Sequence, residues 1–197
     1  MLRRTGLDGM KHVAVRPLEQ EDIPHVIDYW LSASPAELLA MGADASKLPG
    51  RAQWGENLER ILATPDRQAS TFYLIWVVDR QPIGFSSLKN IVYGERGEMH
   101  LHIWDKASRG KGHGAALFCL AAIEFFRRFE LREIHCEPRS SNPAPNRMLQ
   151  RIGFPLVRTH TAASSEIALV CEVNRYDIVP AIAEEYLRAR ALTRARR

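Results

Sequence analysis

Residues 98–123 read EMHLHIWDKASRGKGHGAALFCLAAI. The first seven alternate as a strand does, and the apolar run after the last glycine is typical of a buried helix. Between these two segments, three glycines alternate with three basic side chains, in the order Arg109, Gly110, Lys111, Gly112, His113 and Gly114. Glycine lets a backbone come close to a ligand, and a helix N-terminus offers free N–H groups with a partial positive charge. This loop is therefore a candidate site for a ligand that carries a pyrophosphate.

The pattern on either side of the loop predicts a layered α/β (α+β) domain. Alternating residues predict strands at 12–18, 71–78, 83–92, 98–104, 132–137, 154–160 and 167–176. Helical spacing predicts helices at 22–31, 54–62, 114–129, 142–152 and 177–191. We expect a mixed, mostly antiparallel sheet of about six or seven strands, flanked by helices, with a parallel step across the central helix.

The composition is that of an ordinary globular chain with one domain. Its 197 residues are 46% hydrophobic and 25% charged, and no apolar run approaches the ~18 residues of a membrane helix. The N-terminus lacks the apolar core of a secretory signal, so we expect a cytoplasmic protein without a membrane partner. The three cysteines, Cys119, Cys136 and Cys171, are widely spaced and predict buried free thiols rather than a disulfide or a zinc site.

The net charge of +4 comes from the C-terminal tail. The last ten residues contain five of the 27 basic residues and no acid, which leaves 22 basic against 23 acidic residues in the rest of the chain. A basic tail on a nearly neutral body is typical of a solvated terminus, and it gives no support for a nucleic-acid partner.

The glycine loop and two further segments form a recognisable set. The loop contains Arg109-x-x-Gly112-x-Gly114, residues 142–154 read NPAPNRMLQRIGF, and residues 77–85 read VVDRQPIGF. These segments resemble the acetyl-CoA loop, the Asn-x-x-Ala/Ser…Gly-Phe segment and the hairpin of the GNAT superfamily of N-acetyltransferases. The chain is most similar to the subgroup of ribosomal-protein alanine/serine acetyltransferases. The resemblance spans residues 12–176, which leaves 1–11 as an N-terminal extension and 177–197 as a C-terminal helix with a basic tail.

The resemblance implies an enzyme that transfers the acetyl group of acetyl-CoA directly to a primary amine in a ternary complex. It implies that the fourth and fifth strands splay apart and hold acetyl-CoA between them, with the pantetheine along the backbone of Ile103 and Trp104. It places the pyrophosphate on the N–H groups of residues 109–114. Three side chains are expected beside the pantetheine arm and the adenosine: Asn142, Asn146 and Arg147. The acceptor is expected to be a small-molecule or peptide amine, and a homodimer is compatible with the resemblance.

Two sets of side chains are candidates for the general base that deprotonates the amine. Glu137 ends a predicted strand, and some GNAT enzymes that acetylate protein N-termini have a glutamate at the matching place, which implies that role. His100 and His102 share one face of their strand with Glu98 and Trp104, and a neutral imidazole accepts a proton directly or through water. The alternatives are an ion pair at a strand edge for Glu137 and a structural hydrogen bond or a solvent-facing surface for the histidines.

The first two predicted helices contain three large aromatic residues, Tyr29, Trp30 and Trp54. The family builds the wall of its acceptor site from these helices, and core packing explains the same residues as well. The aromatic residues therefore do not identify a substrate.

One position departs from the family pattern. Many members have a tyrosine seven residues after the asparagine, as the acid that protonates the departing thiolate, and this chain has Leu149 there. A non-catalytic acyl-CoA sensor or scaffold on the same fold is therefore an alternative function. A dinucleotide-dependent oxidoreductase is disfavoured because the glycines read Gly-x-Gly-x-Gly and not Gly-x-Gly-x-x-Gly. A metal enzyme would use the His-x-His pair, but the sequence offers no spacing for a third ligand, so we expect no metal.

Overall fold

A computed structural model describes residues 12–163 and 166–195, and these residues contain one seven-stranded sheet. Its strands are β1 Val13–Pro17, β2 Thr71–Val78, β3 Gln81–Val92, β4 Arg96–Ile103, β5 Glu133–Cys136, β6 Leu156–Ala162 and β7 Cys171–Ile178. Their order across the sheet is β1-β2-β3-β4-β5-β7-β6. Neighbouring strands are antiparallel except for β4 and β5, which are parallel because the chain crosses over between them through a helix.

Six α-helices of the described chain cover the two faces of the sheet. They are α1 Ile23–Leu31, α2 Pro35–Met41, α3 Arg51–Ala63, α4 Gly114–Phe129, α5 Pro143–Ile152 and α6 Pro180–Ala195. The first three contribute to the apolar layer on one face, and the last three contribute to the layer on the other.

The helix α2 is missing from the sequence prediction. It has only seven residues, which is too short for an apolar period to stand out. A capping box fixes its start: Glu37 N donates to Ser34 Oγ at 3.3 Å, and Ser34 N donates to Glu37 Oε2 at 2.9 Å. The motif Ser-Pro-Ala-Glu at residues 34–37 is therefore the signal that predicts this helix.

Alternation along the strands divides the apolar side chains between two layers. On β2, Leu74 and Trp76 pack with the helices α4 to α6, while Tyr73 and Ile75 pack with α1 and α3. The predicted alternation also holds in β4, since the ring of His102 lies against aromatic rings of α1, whereas Met99 and Ile103 belong to the α4 layer. The acidic and imidazole side chains of β4 therefore face the α1 side of the sheet.

The strands β4 and β5 pair only over their first residues. Their parallel ladder joins Arg96, Gly97 and Glu98 to Glu133, Ile134 and His135, respectively. β5 ends one residue later, while β4 continues to Ile103, so that edge of β4 is open beyond Glu98 among the described residues. The middle of the sheet thus opens into a wedge, as the sequence comparison with the GNAT superfamily predicted.

The predicted fold class is confirmed, with seven strands, mostly antiparallel pairing and one parallel step. The last two strands begin later than predicted, at Leu156 and Cys171. Ile167 lies in a turn instead, and Ala168 forms an isolated antiparallel bridge with Ala43. Leu169 N donates to Gly42 O at 2.7 Å and so ties this segment to the end of α2. The expected extension at 1–11 and the end of the basic tail lie outside the described residues. None of the described helices combines the length and apolar character needed to cross a bilayer.

Candidate active site

A cavity of about 990 Å³ lies in the wedge between β4 and β5. Its walls come from eight parts of the chain: α1, α2, the second half of β4, the glycine loop, the end of β5 with the residues after it, α5, β7 and the C-terminal part of α6. A volume of this size lies at the upper end of the range for small-molecule and cofactor sites. The wedge is therefore both the widest break in the sheet ladder and a place where a large ligand fits.

The glycine loop forms one end of the cavity. Gly110 and Gly112 have φ angles of +73° and +79°, and no other atom lies within 4 Å of where a Cβ would be at either position. Gly114 begins α4, and a Cβ there would lie 3.7 Å from Met148 Sδ and 3.8 Å from Ile103 Cδ1. The backbone of this loop is thus exposed to the cavity at a helix N-terminus, which suits a phosphate group. Lys111 belongs to the same loop, but its side chain lies outside the cavity wall.

The side chain of Arg109 has a local partner that the sequence did not indicate. Its Nε and Nη2 donate to the carbonyl oxygen of Ile103 at 3.0 and 2.7 Å. This carbonyl lies on the stretch of β4 where the pantetheine was expected, and Trp104 follows it with its Nε1 donating to Pro82 O at 3.2 Å. Ile103 and Trp104 both line the cavity, but the Ile103 carbonyl is already engaged.

Of the three side chains expected beside the cofactor on α5 and its cap, two line the cavity and one has a structural role. Asn142 caps α5 and lines the cavity together with Arg147. Asn146 is buried outside the cavity wall, and its amide is fully used: Nδ2 donates to Arg139 O at 2.9 Å and to the Asn142 carbonyl at 2.6 Å. Its Oδ1 accepts hydrogen bonds from Asn174 and Tyr176. Asn146 therefore fastens α5 to β7 rather than reaching toward a ligand.

Leu149 and His113 are also buried beside the cavity rather than in its wall. Leu149 is completely buried in the apolar layer under α4. A hydroxyl at that position would need a different local geometry to reach the cavity. The position at which the resemblance led us to expect an acidic tyrosine is therefore part of the apolar core.

His102 lines the cavity in an aromatic environment. Its Nδ1 lies 3.2 Å from the Tyr29 hydroxyl oxygen, and its ring is 4.8 Å from the ring of Phe85 and 4.9 Å from that of Trp30. Burial, together with the positive charges of His100 and Lys89, lowers the pKa of His102 well below its usual value. His102 is thus neutral at pH 7. Burial also raises the pKa of Tyr29 to about 12, so the phenol stays protonated.

His100 is paired with a buried carboxylate. Its Nε2 lies 3.3 Å from Glu98 Oε1, and Asn90 Nδ2 donates to the other oxygen of Glu98 at 3.2 Å. Burial acts to raise the pKa of Glu98, but the hydrogen bond and charge of His100, with the charge of His135, outweigh it and lower the pKa. His100 therefore serves mainly as the partner of Glu98, although its ring reaches the cavity wall.

Glu137 follows the last residue of β5 and lines the cavity at the wedge. Its side chain is only 8% exposed and lies near two basic side chains, with His160 Nε2 at 3.5 Å and Arg175 Nη1 at 3.8 Å. Neither contact has the geometry of a hydrogen bond, so its carboxylate oxygens accept no hydrogen bond from the described residues. No group of three metal-ligating side chains occurs in the described part of the chain.

The buried histidines predict an acid-sensitive fold. Burial lowers the pKa of His102 and of His135, so below pH 6.5 the unfolded chain binds protons that the folded chain does not. We expect the free energy of unfolding to fall between pH 6.5 and 5.5, by up to about 1.4 kcal/mol per pH unit for each histidine. Urea unfolding at both pH values measures this change. His102→Asn should flatten the dependence, whereas exposed His12→Asn should keep it; an unchanged slope in His102→Asn would contradict the expectation.

Comparisons with known proteins identify a family and several solved structures that the chain resembles. The family model described as acetyltransferase (GNAT) domain matches residues 12–155. No curated protein matches the chain in sequence. RimL, a ribosomal-protein alpha-N-acetyltransferase solved in complex with coenzyme A, has a TM-score of 0.68 and 16% identity, covering 86% of this chain and 95% of RimL.

Two further solved structures have the same fold. The spermidine N-acetyltransferase SpeG from Vibrio cholerae, solved with CoA and spermine, has a TM-score of 0.69 and 16% identity over 87% of this chain and 98% of SpeG. SpeG is also known as a dodecamer. An uncharacterised protein from Bacillus halodurans has a TM-score of 0.65 and 11% identity over 90% of this chain and 89% of its own. At these identities the structural likeness establishes the fold alone.

Proposed function

The chain belongs to the GNAT family of acetyltransferases, and on that premise we propose that its acceptor is the α-amino group of a peptide or protein, with Glu137 as the general base. Acetyl transfer from acetyl-CoA to an amine is the activity of the family. The observation that carries the proposal is a difference among the three carboxylates of the cavity wall, Asp28, Glu37 and Glu137. Asp28 and Glu37 are already paired with Arg51 and Lys106. Among the three, only Glu137 is largely buried and has oxygens that accept no hydrogen bond from the described residues.

The cavity fits the cofactor. The open backbone at Gly110 and Gly112, at the start of α4, would hold the pyrophosphate, and the wedge beside Ile103 would hold the pantetheine arm. Acetyl-CoA, when bound, supplies a thioester whose acetyl group is transferred to the amine. The chain has to admit the amine beside this thioester, take a proton from the amine and exclude water.

The carboxylates of the cavity wall favour an acceptor with one amino group near the site. Asp28 is paired with Arg51 at 2.5 Å, and Glu37 is paired with Lys106 at 2.5 Å. The hydrogen bonds of Lys106 and Ser34 lower the pKa of Glu37 to about 2, so it stays ionised and paired. A polyamine carries further ammonium groups that would have to displace Arg51 or Lys106 from these exposed pairs, at a small cost because exposed ion pairs are weak.

The apolar part of the wall favours an amine that carries side chains. The rings of Tyr29 and Trp104 line it together with Met41, and the Trp104 ring lies 5.5 Å from that of His25. The end of α2 is held in place on this side, since Asp44 N donates to Ile167 O at 2.8 Å. A peptide N-terminus presents apolar groups close to its amine, and these groups suit such a wall.

Charge favours Glu137 over His102 as the base. The incoming amine is an ammonium ion in water, and a carboxylate attracts it while the surroundings of His102 repel positive charge. Protonation of Glu137 cancels a charge, whereas protonation of His102 would create a buried cation. A neutral His102, held at hydrogen-bond distance from Tyr29, is better suited to orienting the amine. The transfer would then proceed directly, with both substrates in the cavity: the amine nitrogen bonds to the acetyl carbon, the carbon–sulfur bond breaks, and the CoA thiolate leaves and takes a proton from water.

A panel of acceptors tests the acceptor class. Thiol release from acetyl-CoA would be measured with tetrapeptides that begin with Ala or Ser, with the same peptides blocked at the N-terminus, and with spermidine. We expect kcat/KM for the free peptides to exceed that for spermidine by up to about fivefold, the cost of displacing the partner of one exposed carboxylate. Blocked peptides should be inactive. A preference for spermidine would contradict the proposal.

A further inference from the structure

The helix α6 lies beyond the part of the chain that the family model matches, which ends at residue 155. Nevertheless, Tyr186 and Arg190 of this helix line the same cavity as the glycine loop. The part of the chain that matches the family model therefore does not account for one wall of this cavity. The position of α6 and its charged side chains determine what this wall can bind.

The path of α6 leads to the start of α4. The strand β7 ends at Ile178, which pairs with Ile134 at the beginning of β5, so α6 begins near the end of α4. Its residues Ile182, Tyr186 and Arg190 are four apart and lie on one face of the helix. Ile182 Cγ2 would lie 3.8 Å from a Cβ at Gly153, which closes α5. Two turns later, Arg190 reaches the cavity beside the start of α4.

Three arginines line the cavity from the two helices α5 and α6, which contact each other: Arg147 and Arg151 of α5 and Arg190 of α6. No carboxylate of the described residues lies within ion-pair distance of any of them. The Nε of Arg190 is buried and has no hydrogen-bond partner among the described residues. By contrast, Arg188 on the same helix is exposed and lies 4.0 Å from Glu184. Arg190 as a whole is half-buried, but its buried Nε–H lacks an acceptor, which is unfavourable unless an anion in the cavity supplies one.

We propose that Arg190, with Arg147 and Arg151, binds the 3′-phosphate of the ribose of CoA, so that α6 forms part of the cofactor site. The glycine loop already offers N–H donors to the pyrophosphate, and CoA carries one further phosphate group at the ribose. Guanidinium groups bind a phosphate through paired N–H donors. This inference rests on the use of acetyl-CoA by the family and is independent of the acceptor and of the base proposed above.

Calorimetric titration with two ligands tests the assignment. The dissociation constants of CoA and of 3′-dephospho-CoA would be measured for the wild type, for Arg190→Ala and for the matched control Arg188→Ala. We expect the wild type to bind CoA at least about tenfold more tightly than 3′-dephospho-CoA. Arg190→Ala should lose about tenfold in affinity for CoA and less than about twofold for 3′-dephospho-CoA. Arg188→Ala should match the wild type with both ligands.

Three outcomes would overturn the inference. One is an Arg190→Ala variant that binds CoA as the wild type does. Another is an equal loss for both ligands, which would assign Arg190 to a different part of the cofactor. A wild type that binds neither ligand would contradict the cofactor assignment itself, and this inference with it. Thermal unfolding shows whether α6 stays folded in Arg190→Ala, and Arg190→Lys, which keeps the charge without the paired donors, should show an intermediate loss for CoA alone.

Discussion

Glu137→Gln should lower kcat/KM for the acceptor amine by about 10²-fold or more, the usual contribution of a general base. Glutamine keeps the shape of the side chain and its place near Arg175 and His160 but cannot take the proton. The affinity for CoA should stay unchanged, because the proposed contacts of the cofactor lie on the glycine loop, α5 and α6. Steady-state kinetics with a saturating peptide and a calorimetric titration with CoA measure the two effects.

A matched control exists on the same strand. Glu133 is about half exposed and forms an ion pair with the same arginine, Arg175, but it lies outside the cavity wall. Glu133→Gln therefore removes a comparable ion pair without touching the site, and its kcat/KM should stay within about twofold of the wild type. If the two variants lose activity equally, the loss comes from Arg175, and Glu137 is not the base.

The pH dependence separates the two candidate bases. Removal of the base should change how kcat/KM depends on pH, so we expect the acidic limb of the wild-type profile to be altered in Glu137→Gln. His102→Ala should lower kcat/KM but keep the limb, because His102 is neutral throughout the working range. If the limb disappears in His102→Ala and persists in Glu137→Gln, the histidine is the base. If neither variant changes the profile, both assignments are wrong.

The sequence was most informative where the local pattern and the tertiary structure require the same residues. The alternation in residues 98–104 correctly placed the histidines of β4 on one face, because that strand is buried on both sides and packing keeps its register. The glycine loop was equally clear, since a left-handed φ next to an open cavity leaves few choices other than glycine. Both features are encoded within a few neighbouring residues.

The sequence was least informative where a side chain is engaged by a distant partner. Asn146 belongs to the family segment, yet its hydrogen bonds go to Asn174 and Tyr176, which lie on β7. Arg109 turns its guanidinium back onto β4 instead of outward. Arg190 looked like part of a solvated tail, and only the path of α6 brings it to the cavity. None of these contacts has a signal in the local pattern, because the partner is far away in the sequence.

Gly112→Val should weaken CoA binding by about 100-fold, as expected from the loss of two N–H hydrogen bonds to a charged phosphate. Gly112 has φ +79°, where a β-branched residue is strained, and its missing Cβ faces the open cavity. Valine would both move the backbone donors and occupy the space that the pyrophosphate needs. Calorimetric titration with CoA gives the affinity, and thermal unfolding gives the cost in stability.

The control variant Gly94→Val distinguishes the loss of a phosphate site from the effect of backbone strain alone. Gly94 has a nearly equal φ of +76° and likewise no other atom within 4 Å of a Cβ, but it lies in the turn between β3 and β4, away from the cavity. Both variants should lose similar stability, about 1–3 kcal/mol for a residue held in an unfavourable conformation, and only Gly112→Val should lose CoA. If Gly112→Val binds CoA within about threefold of the wild type, a difference under 1 kcal/mol, the pyrophosphate does not lie on this loop. If Gly94→Val loses CoA to the same extent, the effect arises from general destabilisation, since no phosphate contact is available at that turn.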